Sequence, residues 1–468
     1  MEIIKLINEY LWSYILIALL IFSALYFTFR TRGVQFVMMG EMWRLLFNSG
    51  KGSNDSRDAG TERNKTVSSF QALMVSLASR VGTGNLAGVA TAIAIGGPGS
   101  VFWMWVIALL GSANAFIEST LAQLYKIKGE KSYMGGPAYY IKYGIGHNWW
   151  AILFAILITI TFGLAYNSVQ SNTIALATNN QFGWSPVVVG IVLTILSLAI
   201  VCGSIQRISR FSEIIVPVMA IAYIILAIVI IVLNIETLPQ VLMLIVTDAF
   251  DVSSAVGGGM GMAMIMGIKR GLFSNEAGEG SAPNVAATAS VSHPVKQGLI
   301  QTLAVYTDTL IVCTCTAFII LCSGVFDNGH NGIELTQDAL SHEIGPLGST
   351  FVTIAIFFFA FTSIIGNYYY GETNIQFMTK KRWVVYLYRI AVGAMVMVGA
   401  VSQLDFAWAL ADVTMGLMTL CNIAAILVLG KYAIRLLDDY RNQKLKGYDP
   451  TYRSSTIPEI ADKTRCWE

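Results

Sequence analysis

The chain has 468 residues, 55% of them hydrophobic and only 12% charged, with a net charge of +2 and a mean hydropathy of +0.62. A soluble domain carries about 25% charged residues, so half that share leaves too little polar surface to coat a globule in water. The composition excludes a disordered chain, a nucleic-acid binder and a disulfide-built secreted module, and describes a protein dissolved in lipid.

A membrane span needs about 20 mostly apolar residues. Eleven stretches qualify: 12–29, 67–95, 99–125, 149–178, 185–204, 212–234, 253–270, 297–324, 347–370, 383–401 and 405–430. All are far longer than barrel strands, and only helices or closed barrels satisfy their own backbone in hydrocarbon. The prediction is an all-α integral membrane protein with about eleven transmembrane helices. Met1–Tyr10 carries two acids and one Lys before an apolar run too long for a signal-peptide core, so no cleaved leader is expected. After the first span, Phe36–Phe47 is amphipathic and the residues up to 66 are rich in Gly, Ser and Asp. That pattern predicts a short interfacial helix and a flexible linker.

Basic residues set the orientation. Nearly all of the 30 Lys and Arg fall in alternate loops and the C-terminal tail, among them Arg44, Lys126, Arg207, Lys269, Arg270, Lys380 and Lys431. The opposite loops carry acids such as Asp248, Asp327, Glu334 and Asp405. The reading is a multi-pass cell-membrane protein with its N-terminus outside. Its cytoplasmic tail after residue 431 is expected to begin helical and fade into disorder.

Functional information lies where spans are interrupted. The second span reads Ser79-Arg80-Val81-Gly82-Thr83-Gly84-Asn85-Leu86, and two Gly and an Asn at its centre disfavour a continuous helix. N–H groups freed by a break suit a carboxylate, and freed carbonyls suit a hard cation. Close packing of Gly82, Gly84 and Gly88 is the alternative, but it leaves Arg80 and Asn85 unexplained. In the seventh span Gly257–Gly261 predicts a second mid-membrane break, and Arg270–Pro283 a polar turn near the cytoplasmic surface or equally an inner-gate loop, with either run a candidate for substrate contact. Ten spans follow the first, five and five. An odd number per half inverts the topology, and paired interrupted helices point to a secondary transporter with a midplane site.

In the fourth span Gln170 and Thr173 share a helix face. In the ninth, Thr362 and Ser363 offer hydroxyls that could join second-span carbonyls around Na⁺, or simply bond to their own helix. Arg80, Glu118, Asp308 and Asp412 are ionisable residues at depth, each a structural lock or an ion or proton relay. The six Cys read as small core residues. No HExxH, no GxSxG elbow and no His-rich span is present, so enzymatic activity is not expected.

The stretch Arg80–Trp105 contains Gly82-Thr83-Gly84-Asn85, Gly96-Gly97-Pro98-Gly99 and Phe102-Trp103-Met104-Trp105. It resembles the alanine or glycine:cation symporter family, as do Gly135–Ala138, Val169–Thr173, Phe273–Gly278 and Gly366–Glu372. The resemblance runs in order along nearly the whole chain. It implies a leucine-transporter-like fold: an extra helix (1–30), a cytoplasmic segment (31–66), two inverted five-helix repeats (67–234 and 235–430) and a tail (431–468). It implies Na⁺-coupled uptake of a small neutral amino acid, alanine with glycine beside it. It places Thr83, Gly84, Asn85, Gln170, Phe273 and Asn275 at the substrate, with the carboxylate on the N–H groups of Thr83 and Gly84. It places Na⁺ on the carbonyls of Ala78, Val81 and Phe359 and the hydroxyls of Thr362 and Ser363. A proton-coupled carrier using Glu118, Asp308 or Asp412 is the rival reading, and a channel a second.

Overall fold

The computed structural model describes residues 2–48, 67–129, 132–201, 205–250 and 259–467. Apolar runs close into helices because hydrocarbon offers their backbone no other partner. In chain order these are α1 (2–30), α2 (Ser69–Arg80), α3 (Gly84–Gly96), α4 (Ser100–Leu124), α5 (Asn148–Phe182), α6 (Pro186–Val201), α7 (Ile205–Leu233), α8 (Gly259–Asn275), α9 (Pro294–Ser323), α10 (Pro346–Met378), α11 (Arg382–Val401) and α12 (Leu404–Leu445). Shorter helices lie at Met39–Asn48, Leu238–Ala249 and Ile333–Ile344. Among the described residues, eight helices are long and apolar enough to cross a membrane. The only strands described form a hairpin pairing Ile127 with Met134.

Local sequence sets the helix ends. Ser68 and Gln71 form a reciprocal cap at the start of α2: the Gln71 N–H donates to Ser68 Oγ, and the Ser68 N–H to Gln71 Oε1, both at 3.1 Å. Gly183 takes φ +68° after α5 and stops it, and Pro186 opens α6 three residues later. Helices α2, α3, α4, α9 and α10 are mostly buried, whereas α6, α7 and α11 turn Ile191, Ile195, Ile221, Ile225 and Ile390 outward. α4 packs on α8 and α9, and α5 on α10 and α11. The buried helices are therefore those that carry the polar and Gly-rich sequences.

Several expectations need correction. Gly257 and Gly258 lie outside the described residues, but Gly259 and Gly261 sit in α8, which runs unbroken to Asn275. The interruption falls instead at 276–282, before a short helix at Pro283–Ala286. Glu276 (φ +56°), Gly278 (+96°) and Gly280 (+84°) cannot continue a right-handed helix. Residues 270–289 are all buried, so this turn lies inside the bundle, not at a surface. Lys269 and Arg270 do not join the tail-side charges. They pair with Asp412 at 2.7 and 2.5 Å, and the carbonyl of Asp412 accepts from Trp12 Nε1 of α1.

The tail does not fade. Residues 446–467 fold back over one end of the bundle. The Tyr452 N–H donates to the Ser292 carbonyl (2.8 Å), Trp467 Nε1 to the Gln123 carbonyl (3.1 Å), and Lys296 pairs with Asp449 at 2.7 Å. The aromatic anchors Tyr452 and Trp467 are buried, which a reading based on polar composition overlooked. The interfacial helix is present at Met39–Asn48, and the predicted flexible linker lies outside the described residues beyond residue 48.

That interfacial helix is tied to α12 through Glu41. Its carboxylate accepts from Arg44 (2.7 Å) and the Tyr440 hydroxyl (2.5 Å) and lies 3.3 Å from Lys444. Burial works against the Glu41 charge. The hydrogen bonds from Arg44 and Tyr440 and the charges of Arg44 and Lys444 outweigh it and hold the carboxyl at about 2, below its usual 4.5. A lowered carboxylate stabilises the fold fully above the unfolded value and loses that contribution as pH falls from about 4.5 toward about 2. The expected outcome is that Glu41→Gln lowers the thermal midpoint near neutral pH, and that the gap to wild type shrinks steadily as the pH is brought below 4.5. Differential scanning fluorimetry in detergent reads it.

Candidate functional site

The first predicted break is present. Val81 leaves the helix with ψ 95°, Gly82 turns, and Thr83 returns to helical dihedrals. Two amide side chains close the exposed backbone: the Gly82 N–H donates to Asn85 Oδ1 (2.9 Å) and the Thr83 N–H to Gln170 Oε1 (3.0 Å). Glycine is required at 82 by close approach. A Cβ there would collide with Ser363 Oγ and come within 2.9 Å of Gln170 Oε1. A carboxylate arriving at Thr83 would therefore exchange places with the Gln170 oxygen.

Beside the break the oxygens of Ala78, Val81, Phe359, Thr362 and Ser363 come together. Ser363 Oγ lies 2.9 Å from the Ala78 carbonyl, 3.0 Å from that of Phe359 and 3.4 Å from that of Val81. Thr362 Oγ1 donates to the Phe359 carbonyl at 2.9 Å. Both hydroxyls thus reach their own helix, as the alternative anticipated, but Ser363 also spans from α10 to α2. One hydroxyl hydrogen serves one acceptor at a time, so three carbonyls around it leave lone pairs unused. Such an uncharged array of oxygens suits a hard monovalent cation.

Phe273 of α8 closes over the break. A Cβ on Gly84 would lie 3.1 Å from its ring. Its centroid is 4.4 Å from Tyr166 and 4.7 Å from Trp408, and the Arg270 guanidinium stacks 4.3 Å over Trp408. Tyr166 and Trp408 were not among the sequence-derived candidates. The signal available was an aromatic ring within a span that also holds polar residues. Among the described residues Thr83 Oγ1, Trp408 Nε1 and Asn275 Nδ2 are buried without a hydrogen-bond partner. Each such atom costs about 1–3 kcal/mol, which a polar ligand or water bonded to it would recover. Asn275 uses its carbonyl oxygen to accept from the Ala277 N–H (3.0 Å), so it also shapes the second break. Thr173 bonds only to the Val169 carbonyl of its own helix, and Asn172 to the carbonyls of Gly399 and Ser402. Those two serve packing.

The second break is held by ionisable residues. Glu118 accepts from the Gly278 N–H (3.2 Å) and from Asn422 Nδ2 (2.8 Å), which also donates to the Gly278 carbonyl (2.9 Å). Tyr140 donates to Asn422 Oδ1 behind it. Glu276 accepts from Ser79 (2.9 Å) and Ser281 (2.5 Å), linking the second break to the residue that precedes Arg80. Asp308 accepts from Asn85 (2.7 Å), Ser274 (2.8 Å) and Thr309 (2.9 Å). Cys313 lies against the same Asn85 and Ser274, at 3.3 and 3.2 Å. Glu118, Asp308 and Glu276 adjoin the breaks directly, whereas Asp412 pairs with Lys269 and Arg270 away from them.

A polytopic helical bundle with two interrupted helices meeting at its centre defines a membrane transporter. The model of the sodium:alanine symporter family matches residues 1–454, and the chain belongs to that family. It is 48% identical over its whole length, and over 96% of the relative, to a probable sodium/glutamine symporter of Bacillus subtilis. It is 49% identical, over 100% of this chain and 97% of the relative, to the amino-acid carrier protein AlsT of the same organism. A sodium/alanine symporter of Methanococcus maripaludis is 34% identical over 92% of this chain and 94% of its own. Among solved structures, MhsT in complex with L-phenylalanine shares the fold with a TM-score of 0.59 at 16% identity, covering 86% of this chain and 93% of that one. A manganese transporter of Eremococcus coleocola does so with 0.54 at 14% identity, over 84% of each.

Gly82→Ala tests the close approach at the break. Overpacking of this kind costs about 1–3 kcal/mol, paid where Ser363 and Gln170 must move aside. Transport in proteoliposomes should fall by about tenfold or more, with helical content by circular dichroism unchanged.

Proposed function

We propose that the protein couples inward movement of Na⁺ to uptake of a small neutral amino acid, alanine with glycine beside it, by alternating access. The observation that carries this is the convergence of the Ala78, Val81 and Phe359 carbonyls with the Thr362 and Ser363 hydroxyls. A Na⁺ among them would tie α2 to α10 and fix the unwound Gly82–Thr83 link. The amino acid would lie against Thr83, Gly84, Asn85, Gln170, Phe273 and Asn275. Its carboxylate would take the N–H groups of Thr83 and Gly84, and Phe273, Tyr166 and Trp408 would limit its side chain. One excess methylene is worth only about 1–3 kcal/mol in such a pocket, so discrimination between alanine and glycine is expected to be modest. One cation moving inward down 100 mV supplies about 2.3 kcal/mol, enough for roughly 50-fold accumulation before its concentration gradient is counted.

In this reading eleven membrane helices comprise one extra helix and two inverted repeats, 67–234 and 235–430, each interrupted in its first helix. The N-terminus faces out and the tail faces the cytoplasm. Glutamine is a second substrate reading. It is favoured by the name of the 48%-identical relative and by the unpartnered Trp408 Nε1, a donor suited to a side-chain carbonyl. Coupling to protons is the other rival. A Bacillus subtilis relative at 45% identity carries the name of a putative sodium/proton-dependent alanine carrier.

Purified protein in liposomes, given radiolabelled alanine or glutamine with Na⁺, K⁺ or H⁺ gradients imposed singly, separates these. Alanine accumulation with Na⁺ alone is expected, and accumulation driven by a pH gradient in Na⁺-free buffer would displace the proposal in favour of proton coupling. Thr362→Ala should raise the Na⁺ concentration for half-maximal uptake by about tenfold, since loss of one ligand at about 1.4 kcal/mol is one decade. Unchanged Na⁺ dependence would remove this residue from the cation site.

A further inference from the structure

Arg80 ends α2 immediately before the break and is 2% exposed. Among the described residues its only hydrogen bond runs from Nη1 to the Gln301 carbonyl, at 3.5 Å. Nε and Nη2 have no partner among the described residues. Glu118, Glu276 and Glu279 feel its charge through space, yet no carboxylate oxygen of the described residues comes into ion-pair range. A residue kept only to neutralise buried acids would contact one directly, because an unpaired buried charge is costly. The guanidinium instead holds two free donors in a fixed fork, the geometry that receives a carboxylate.

The neighbouring carboxylate is placed with equal care. Glu276 has a left-handed backbone (φ +56°), unusual for a residue with a side chain. Its two oxygens each accept one serine hydroxyl, Ser79 and Ser281, and a carboxylate has about four lone-pair positions, so accepting capacity remains. Ser79 is the residue next to Arg80, and its hydroxyl also lies 2.7 Å from Asn367 Oδ1, so its one hydrogen serves Glu276 or Asn367 at a time, while Asn367 Nδ2 has no partner among the described residues. Arg80 and Glu276 are thus linked through Ser79, which precedes the one and hydrogen-bonds the other, and each keeps unused hydrogen-bonding capacity.

We propose that Arg80 and Glu276, which flank the first break and open the second, form a second dock for the amino acid distinct from the Thr83 and Gly84 N–H groups, in which the guanidinium takes the carboxylate and Glu276 takes the ammonium. The dock rests on the amino-acid symport reading and adds a staging point between the break and the end of the bundle covered by the tail. A zwitterion fits it, since either charge alone would leave one partner unmatched.

The test is a chemical footprint. Proteoliposomes are treated with methylglyoxal, an arginine reagent no larger than alanine, and adducts at Arg80 are counted by peptide mass spectrometry. Arg80 should be modified in Na⁺-free vesicles and protected by alanine. Propionate, which has the carboxylate without the ammonium, should protect at higher concentration, and alaninamide should not. Glu276→Gln should raise the alanine concentration for half-protection by about tenfold. Equal modification with and without alanine, no modification under any gradient, or protection by alanine but not propionate would overturn the dock. The wild-type footprint decides this even where the variant fails to fold. Na⁺-driven uptake of labelled alanine, measured in the same vesicles, stands or falls separately.

Discussion

Hydrocarbon does not hydrogen-bond. A helix may therefore be interrupted inside a membrane only where side chains take over the backbone groups that the interruption frees. That rule accounts for most buried polar residues of this protein. Asn85 and Gln170 receive the N–H groups of Gly82 and Thr83, and Ser363 donates among the carbonyls left at the end of α2. Glu118 and Asn422 do the same for Gly278. Four helices distant in sequence are thereby committed to holding two short irregular segments.

The commitment has a consequence for coupling. The oxygens that converge beside the first break come from two helices, α2 and α10, and the hydroxyl between them is the link across that gap. A cation seated on the oxygens of this hydroxyl and the carbonyls around it would strengthen the link and fix the conformation of Val81–Thr83, from which an amino acid would be held. Anything that stabilises one such arrangement for a second ligand must be stabilised by that ligand in return. Coupling of two cargoes thus needs no long pathway, because Val81 and Thr83 are two residues apart. Phe273, leaning on Gly84 and in tilted ring contact with Tyr166 and Trp408, connects the same point to α5, α8 and α12.

How legible this was in the sequence depended on the kind of signal. Apolar length located the helices, and the doublet of glycines with Asn85 located the first break, because both are local. The second break was misplaced. Gly257–Gly261 has more glycine, but Gly259 and Gly261 lie in a helix, while Glu276 adopts a left-handed backbone held by Ser79 and Ser281, contacts that no local rule contains. Lys269 and Arg270 were read as tail-side charges because their partner, Asp412, lies far along the chain. Trp408 was invisible for the same reason. The tail was misjudged because two aromatic anchors outweigh a polar composition once there is a surface for them to cover.

Charge is the remaining economy of the interior. Replacing buried ion pairs by apolar residues is often neutral or stabilising, so stability alone does not explain five buried carboxylates in a chain with so few charges. They are not evenly matched. Asp412 has two cations at contact distance, whereas Glu118, Glu276 and Glu279 share the more distant Arg80. The region around the second break is bridged to the first break through Ser79. Glu118, Glu276 and Asp308 are held by hydroxyl and amide donors at contact distance, so hydrogen bonds and not ion pairs fix them in place.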